Sequence, residues 1–279
     1  MISQTRFSPA SVSVNKMIDS HCHINDELYI ENPAKYVDEA KAAGVSTFLV
    51  VGFDLKSSKD AVKIAKNFPE CYAAVGIHPS DVKKAQKSDF EEVEKLAKEG
   101  KVIAIGEIGL DYYWDKDPEV QKEQKEAFKK QIEIANRCDL PISIHCRDAI
   151  EDCLTILKEN PVKKGGIMHC YAGSLESARE FIKLGFALGF GGTTTFKNSV
   201  KPKDVAKNID ENWIVLETDS PYLTPVPFRG QPNHSKYLCY IRDEIASLRG
   251  VSKEKIEELT DKNFKRIFSL WKRKSMELL

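Results

Sequence analysis

At 279 residues, 42% hydrophobic and 30% charged, the chain is long for an ordinary domain and has enough apolar side chain for a sizeable core. Its 42 Lys and Arg balance 42 Asp and Glu. That argues against a protein that coats nucleic acid by charge alone, while leaving room for a local phosphate-binding cleft. No apolar run approaches membrane-spanning length, and seven irregularly spaced cysteines form no disulfide framework, which fits a reducing, cytoplasmic setting, or a nuclear one in a eukaryote.

Residues 1–16 contain no acidic residue, carry only Arg6 and Lys16 as cations, and lack the apolar stretch of a secretory signal; they are expected to be a plain N-terminal extension. The domain is expected over residues 17–279. Eight short, near-continuously apolar runs follow, at 17–20, 47–51, 71–76, 102–107, 141–145, 166–169, 186–190 and 213–217. Such runs predict strands covered on both faces. Between them, residues 33–43, 57–67, 90–98 and 121–137 repeat apolar side chains every three or four positions, with Lys and Glu on the other face. Asn32-Pro33 and Asp117-Pro118 predict helix entries, and Gly44 and Gly100 predict exits. Residues 234–279 read as two helices broken near Gly250-Val251-Ser252. Eight strand-plus-helix units predict a single-domain α/β fold, a (β/α)₈ TIM barrel; a doubly wound sheet would more usually show five or six strands.

In such barrels the loops at the C-terminal ends of the strands converge over one mouth. The first strand runs into I-D-S-H-C-H-I at 18–24, whose alternation places His21 and His23 on one side and Cys22 on the other. His78 follows the third strand, Glu107 ends the fourth, His145 ends the fifth with Arg147 beyond it, and His169 ends the sixth; the eighth ends in Glu217-Thr218-Asp219. Imidazoles and carboxylates in this ratio suit two divalent cations, with Glu107 the natural bridge. Such a pair activates water and stabilises both attacking and leaving oxygens, which suits hydrolysis of a phosphodiester, an amide or an ester. Each residue also has a plain structural reading. A lone strand-end His is usually just hydrogen-bonded, Glu107 fits a buried ion pair, Asp219 fits a turn cap, and Arg147 could pair with Asp148. Six such coincidences at one mouth are improbable. His78 stays open between metal and phosphate. Cys22, Cys146 and Cys170 are expected to pack away from the metals as small apolar groups.

The stretches IDSHCH (18–23), VGIHP (75–79), IGEIGLDY (105–112), PISIHCRD (141–148), HCYAG (169–173) and LETDSPYLTP (216–225), extended by Phe228-Arg229-Gly230 and Pro232-Asn233-His234, resemble the TatD family of metal-dependent deoxyribonucleases, within the amidohydrolase-like metallohydrolases. The resemblance covers nearly the whole chain after residue 16. It implies that His21, His23 and Asp219 hold one metal and His145 and His169 the other, with Glu107 shared. It implies phosphate contact by His78, with Arg147 and Arg229 as further candidates, and Asp219 or an activated water as base or nucleophile. The implied substrate is DNA, degraded from the 3′ end of single strands, with Mg²⁺ supporting activity; a histidine-rich shell equally accepts Zn²⁺ or Mn²⁺. The chain departs from the pattern at Ser220, where many relatives have alanine, and in the PNHS run at 232–235; neither is expected to touch a ligand.

Two other readings compete. An amidohydrolase acting on a small amide, lactone or phosphoester would commonly bridge its metals with a carboxylated lysine on the fourth strand, where this chain reads Gly106-Glu107-Ile108. A non-catalytic barrel that only binds would not need open metal positions. Tyr112, Tyr113 and Trp114 read either as stacking surfaces for unpaired bases or as the wall of the mouth. A monomer without membrane association is expected.

Overall fold

A computed structural model describes residues 17–269. The expected extension at 1–16 and residues 270–279 of the expected tail lie outside the described residues. Eight parallel strands form one sheet in chain order: β1 (Met17–Cys22), β2 (Val45–Val51), β3 (Cys71–Val75), β4 (Val102–Asp111), β5 (Ile142–Arg147), β6 (Gly166–Met168), β7 (Phe186–Phe190) and β8 (Ile214–Leu216). Helices alternate with them: α1 (Pro33–Ala42), α2 (Leu55–Asn67), α3 (Lys87–Leu96), α4 (Pro118–Cys138), α5 (Ile150–Glu159), α6 (Leu175–Lys183) and α7 (Val200–Asn208). The tail adds α8 (Leu238–Arg249) and α9 (Lys253–Ile267), parted at Gly250, whose φ of 64° ends α8 in the left-handed region. The fold is a single-domain (β/α)₈ barrel. Among the described residues no helix is long and apolar enough to cross a membrane.

Local chemistry explains the element ends. Asn32 and Asp117 cap α1 and α4 through their side-chain oxygens, each followed by proline at the first helical position. Strand alternation then sorts the core. Phe48 and Val50 of β2 face the helices, while Leu49 and Val51 join Ile18, Ala74, Ile103 and Val215 in a separate cluster inside the barrel. Phe264, Ile267 and Phe268, on or just after α9, pack against that inner cluster.

One strand differs from its expected extent in a way that matters. β4 continues past Glu107 to Asp111 because Ile108, Gly109, Leu110 and Asp111 pair with Ile144, His145, Cys146 and Arg147 of β5. Gly109 is required there: its φ is 140°, and a Cβ would lie 2.0 Å from the His145 carbonyl oxygen.

β1 and β8 do not pair as a regular ladder among the described residues. The seam is instead closed just beyond the strand ends. Asp219 N–H donates to His21 O at 2.9 Å and His23 N–H to Ser220 O at 2.8 Å. Asp19, fully buried, completes the seam: its Oδ1 accepts from Thr218 N–H at 2.9 Å, and its Oδ2 from the Thr218 and Ser235 hydroxyls, both at 2.6 Å.

Candidate metal centre and active site

The strand ends bring His21, His23, Glu107, His145, His169 and Asp219 into one cluster at the barrel mouth. His21 Nε2 and His23 Nε2 stand 3.2 Å apart. Glu107 Oε2 is 3.5 Å from His21 Nε2 and 3.8 Å from His23 Nε2, and Asp219 Oδ1 is 3.4 Å from His23 Nε2. The other oxygen of Glu107 faces the opposite group: Oε1 is 2.9 Å from His145 Nδ1, 3.6 Å from His78 Nε2 and 3.9 Å from His169 Nε2. Donors about 2.0–2.2 Å from a shared ion sit roughly 2.8–3.6 Å apart, so most of these separations match a coordination shell. Glu107 divides its two oxygens between two half-shells. Its peptide bond to Gly106 is cis, and Asp219 adopts a φ of 57°, a left-handed conformation that aspartate tolerates better than most residues.

Behind the cluster, the ring nitrogens turned away from the centre meet partners, except His169 Nδ1, which has none in hydrogen-bonding geometry. His23 Nδ1 lies 2.9 Å from the Val51 carbonyl and so must be protonated, leaving an Nε2 lone pair facing inward. His145 Nε2 lies 2.9 Å from Asp111 Oδ2. His21 Nδ1 is 3.4 Å from the Ser143 hydroxyl. His169 Nδ1 is 3.0 Å from Glu217 Oε1, close but without hydrogen-bond alignment, and Glu217 Oε2 is buried without a partner. Glu217 fits because Gly189 has no side chain; a Cβ there would come within 2.2 Å of that oxygen. Partners of this kind fix tautomer and ring direction in metal sites.

The electrostatics favour cations. Glu107, Asp111, Asp219 and Glu217 are all buried around one point. Burial works against charge on Glu107, but His78, His145 and His21 outweigh it and hold the carboxyl well below the usual range. Asp219 is likewise lowered, burial being outweighed by His169, His23 and His21. Without ions, histidines supply the countercharge. Burial opposes protonation of His145, yet Asp111 and Glu107 push it up to about 9. His169 rises to about 10, with Glu217 and Asp219 overcoming burial. Divalent ions would take over that role, and the donor set fits them.

His78 differs from the others. Its Nδ1 accepts from Ser80 N–H at 3.1 Å, so the ring proton sits on Nε2, facing the cluster. Burial lowers its pKa to about 4. It therefore offers a neutral N–H donor where a ligand would need a lone pair, which suits an oxygen of the substrate. Arg147 lines the same cavity, of about 380 Å³. No carboxylate lies within ion-pairing distance of Arg147 among the described residues; its guanidinium stacks 3.7 Å over the Tyr113 ring. The structure does not bring Arg229 to this cavity: it packs over Phe196 at 3.8 Å.

No cluster of candidate ligands among the described residues contains a cysteine; Cys22 is fully buried among core side chains. Sequence reasoning missed Asp111 and left Asp19 and Glu217 without roles. Asp111 had a signal, since it lies four residues beyond Glu107 and shares its face on a strand. The departures at Ser220 and PNHS are closer to the site than expected. Ser220 O receives the His23 N–H, and Asn233 Nδ2 donates to the carbonyls of Thr218 and Tyr222, both at 2.7 Å.

The chain is similar to known proteins over most of its length. The family profile "TatD related DNase" matches residues 18–269. The chain is 44% identical over 255 residues to "Uncharacterized metal-dependent hydrolase YabD" of Bacillus subtilis, covering 91% of this chain and 99% of that protein. It is 31% identical over 260 residues to "3'-5' ssDNA/RNA exonuclease TatD" of Escherichia fergusonii, with 91% and 99% covered. Among solved structures, the TatD homologue YjjV of Escherichia coli K12 superposes with a TM-score of 0.88 at 29% identity, covering 92% of this chain and 99% of that one.

Proposed function

The chain belongs to the TatD-related DNase family of metal-dependent hydrolases, and on that premise we propose that it removes nucleotides from the 3′ ends of single-stranded DNA by a two-metal mechanism. The observation that carries this reading is the division of Glu107 between two groups of donors, Oε2 toward His21 and His23 and Oε1 toward His145, with His169 Nε2 between them, 3.9 Å from Glu107 Oε1 and 3.7 Å from Asp219 Oδ1. In the proposed arrangement Asp219 completes the first group. Divalent ions held there, Mg²⁺ in activity with Zn²⁺ or Mn²⁺ also accepted, supply Lewis-acid stabilisation of a phosphate and a lowered pKa for water. Asp219 accepts the proton of the attacking water. His78 donates its Nε2–H to a non-bridging phosphate oxygen, and Arg147 neutralises the charge that develops on the phosphate. Arg229 acts further out, on phosphates away from the cleaved bond. The balanced net charge suits a protein that grips one or two phosphates and does not track a long duplex.

The test is digestion of 5′-labelled single- and double-stranded DNA, and of RNA, with Mg²⁺, Mn²⁺ or Zn²⁺ added after chelation. A ladder shortening from the 3′ end of single strands is expected, abolished by chelator and by Glu107→Ala. Full activity in the Glu107→Ala protein would defeat the mechanism. Turnover of a small amide, lactone or phosphotriester without any DNA cleavage would favour the amidohydrolase reading.

A further inference from the structure

Trp114 is 68% exposed and Tyr222 52% exposed, and both line the cavity that holds the ligand cluster. They follow β4 and β8, which stand opposite each other in a ring of eight strands, so aromatic faces flank the mouth on two sides. Protein does not enclose the Trp114 ring: Arg147 lies 5.6 Å from its centroid, and most of the side chain is left to water.

The Trp114 side is braced. Asp111 Oδ1 accepts from the N–H groups of Tyr113 at 3.0 Å and Trp114 at 3.1 Å, while its Oδ2 engages His145 Nε2 at 2.9 Å. One carboxylate thus ties the aromatic turn and a ligand histidine to a common point. The Tyr113 and Trp114 rings meet edge to face, 87° apart with centroids at 4.8 Å, and Arg147 lies over Tyr113. The result is an aromatic and cationic ledge held in register with the ligand cluster.

We propose that Trp114 is the stacking platform for the base of a nucleotide flanking the scissile phosphate, with Arg147, braced on Tyr113, at that phosphate. The inference rests on the nuclease reading above and adds how it selects its substrate: unpaired nucleotides, without regard to base identity. Every base offers a π face, so stacking tolerates any sequence. A paired base inside a duplex has both faces covered and a terminal pair offers only its outer face, whereas an unpaired 3′ end can lay either face of its base on Trp114. The cavity, about 380 Å³, is at the small end of ligand sites, of a size suited to one nucleotide.

The experiment compares wild type, Trp114→Ala and Trp114→Phe on single-stranded oligonucleotides that carry either ordinary nucleotides or an abasic sugar at one of the last two 3′ positions. Stacking on one base is expected to give wild type a KM roughly 5- to 100-fold lower for the ordinary substrate. Trp114→Ala should abolish that difference with kcat much less affected, and Trp114→Phe should retain part of it. The exposed position leaves folding intact, checked by an unchanged melting temperature. If Trp114→Ala raises KM equally for ordinary and abasic substrates, or leaves both unchanged, the platform is refuted while the nuclease reading stands. If wild type cleaves no DNA or RNA with any of the three ions, the nuclease reading fails and the platform with it.

Discussion

Asp19 gives the sharpest test of how the barrel seam and the candidate site depend on each other. It accepts from Thr218 N–H, His21 N–H and two hydroxyls, all buried, and it sits where β1 and β8 lack a regular ladder. In Asp19→Ala the two hydroxyls can turn to other acceptors, but the Thr218 N–H cannot, and a buried unpaired N–H alone costs about 1–3 kcal/mol. With the cavity and the rest of the network added, the loss should reach about 3–5 kcal/mol. For a domain of this size that lowers the melting temperature by roughly 6–20 °C. Asp19→Asn should behave differently. Burial pushes the Asp19 carboxyl up to about 6 despite the bonds from Ser235 and Thr218, so its charge is only weakly favoured. The amide keeps Oδ1 for the two N–H groups, and its NH₂ donates to hydroxyls that reverse to accept; the expected cost is about 1–2 kcal/mol. Thermal and urea unfolding of the three proteins, with DNA hydrolysis measured on the folded fraction, reads both effects. Equal losses for Ala and Asn, or less than about 1 kcal/mol for Ala, would refute the seam argument.

Other substitutions separate chemistry from scaffold. His145→Ala and Asp219→Ala should each lower DNA hydrolysis by orders of magnitude with cooperative unfolding preserved; a lost unfolding transition would assign them to structure. Asp111→Asn should weaken metal binding or activity by about 10- to 100-fold, because the amide offers His145 at best a weaker, uncharged acceptor. Calorimetric metal titration with wild-type affinity would overturn that role. Gly109→Ala should cost about 3 kcal/mol or more, since a φ of 140° and a Cβ 2.0 Å from the His145 carbonyl act together. Gly250→Ala, at a φ of 64° with nothing within 4 Å of a Cβ, should cost only about 1–2 kcal/mol. Chemical unfolding that ranks the two glycines the other way would contradict the close-approach argument.

Much of the molecule was legible from contiguous residues. Apolar runs of strand length marked the sheet, Asn32-Pro33 and Asp117-Pro118 marked helix starts that the structure retains, and strand-end residue types marked the six side chains that converge at the mouth. These are properties of short windows: alternation, capping and donor chemistry depend on neighbours in the chain. β4 is predicted by its apolar run to end at Glu107. It runs on to Asp111 only because β5 lies alongside to take its hydrogen bonds.

What the tertiary structure alone decided is the direction and partner of each polar group. Asp19 meets Thr218 across 199 residues of chain, a contact that exists only because eight strands close on themselves. The same holds for the histidine tautomers. Val51 O makes His23 present a lone pair, while Ser80 N–H makes His78 present a proton; identical side chains at similar strand ends thus face the cluster with opposite chemistry. Arg229, equal to Arg147 as a sequence candidate, is drawn to Phe196 and away from the cavity. Sequence determines which donors and acceptors are available at the barrel mouth. The packing of distant segments determines which of their atoms face inward, because hydrogen-bond geometry is set by neighbours in space and not along the chain.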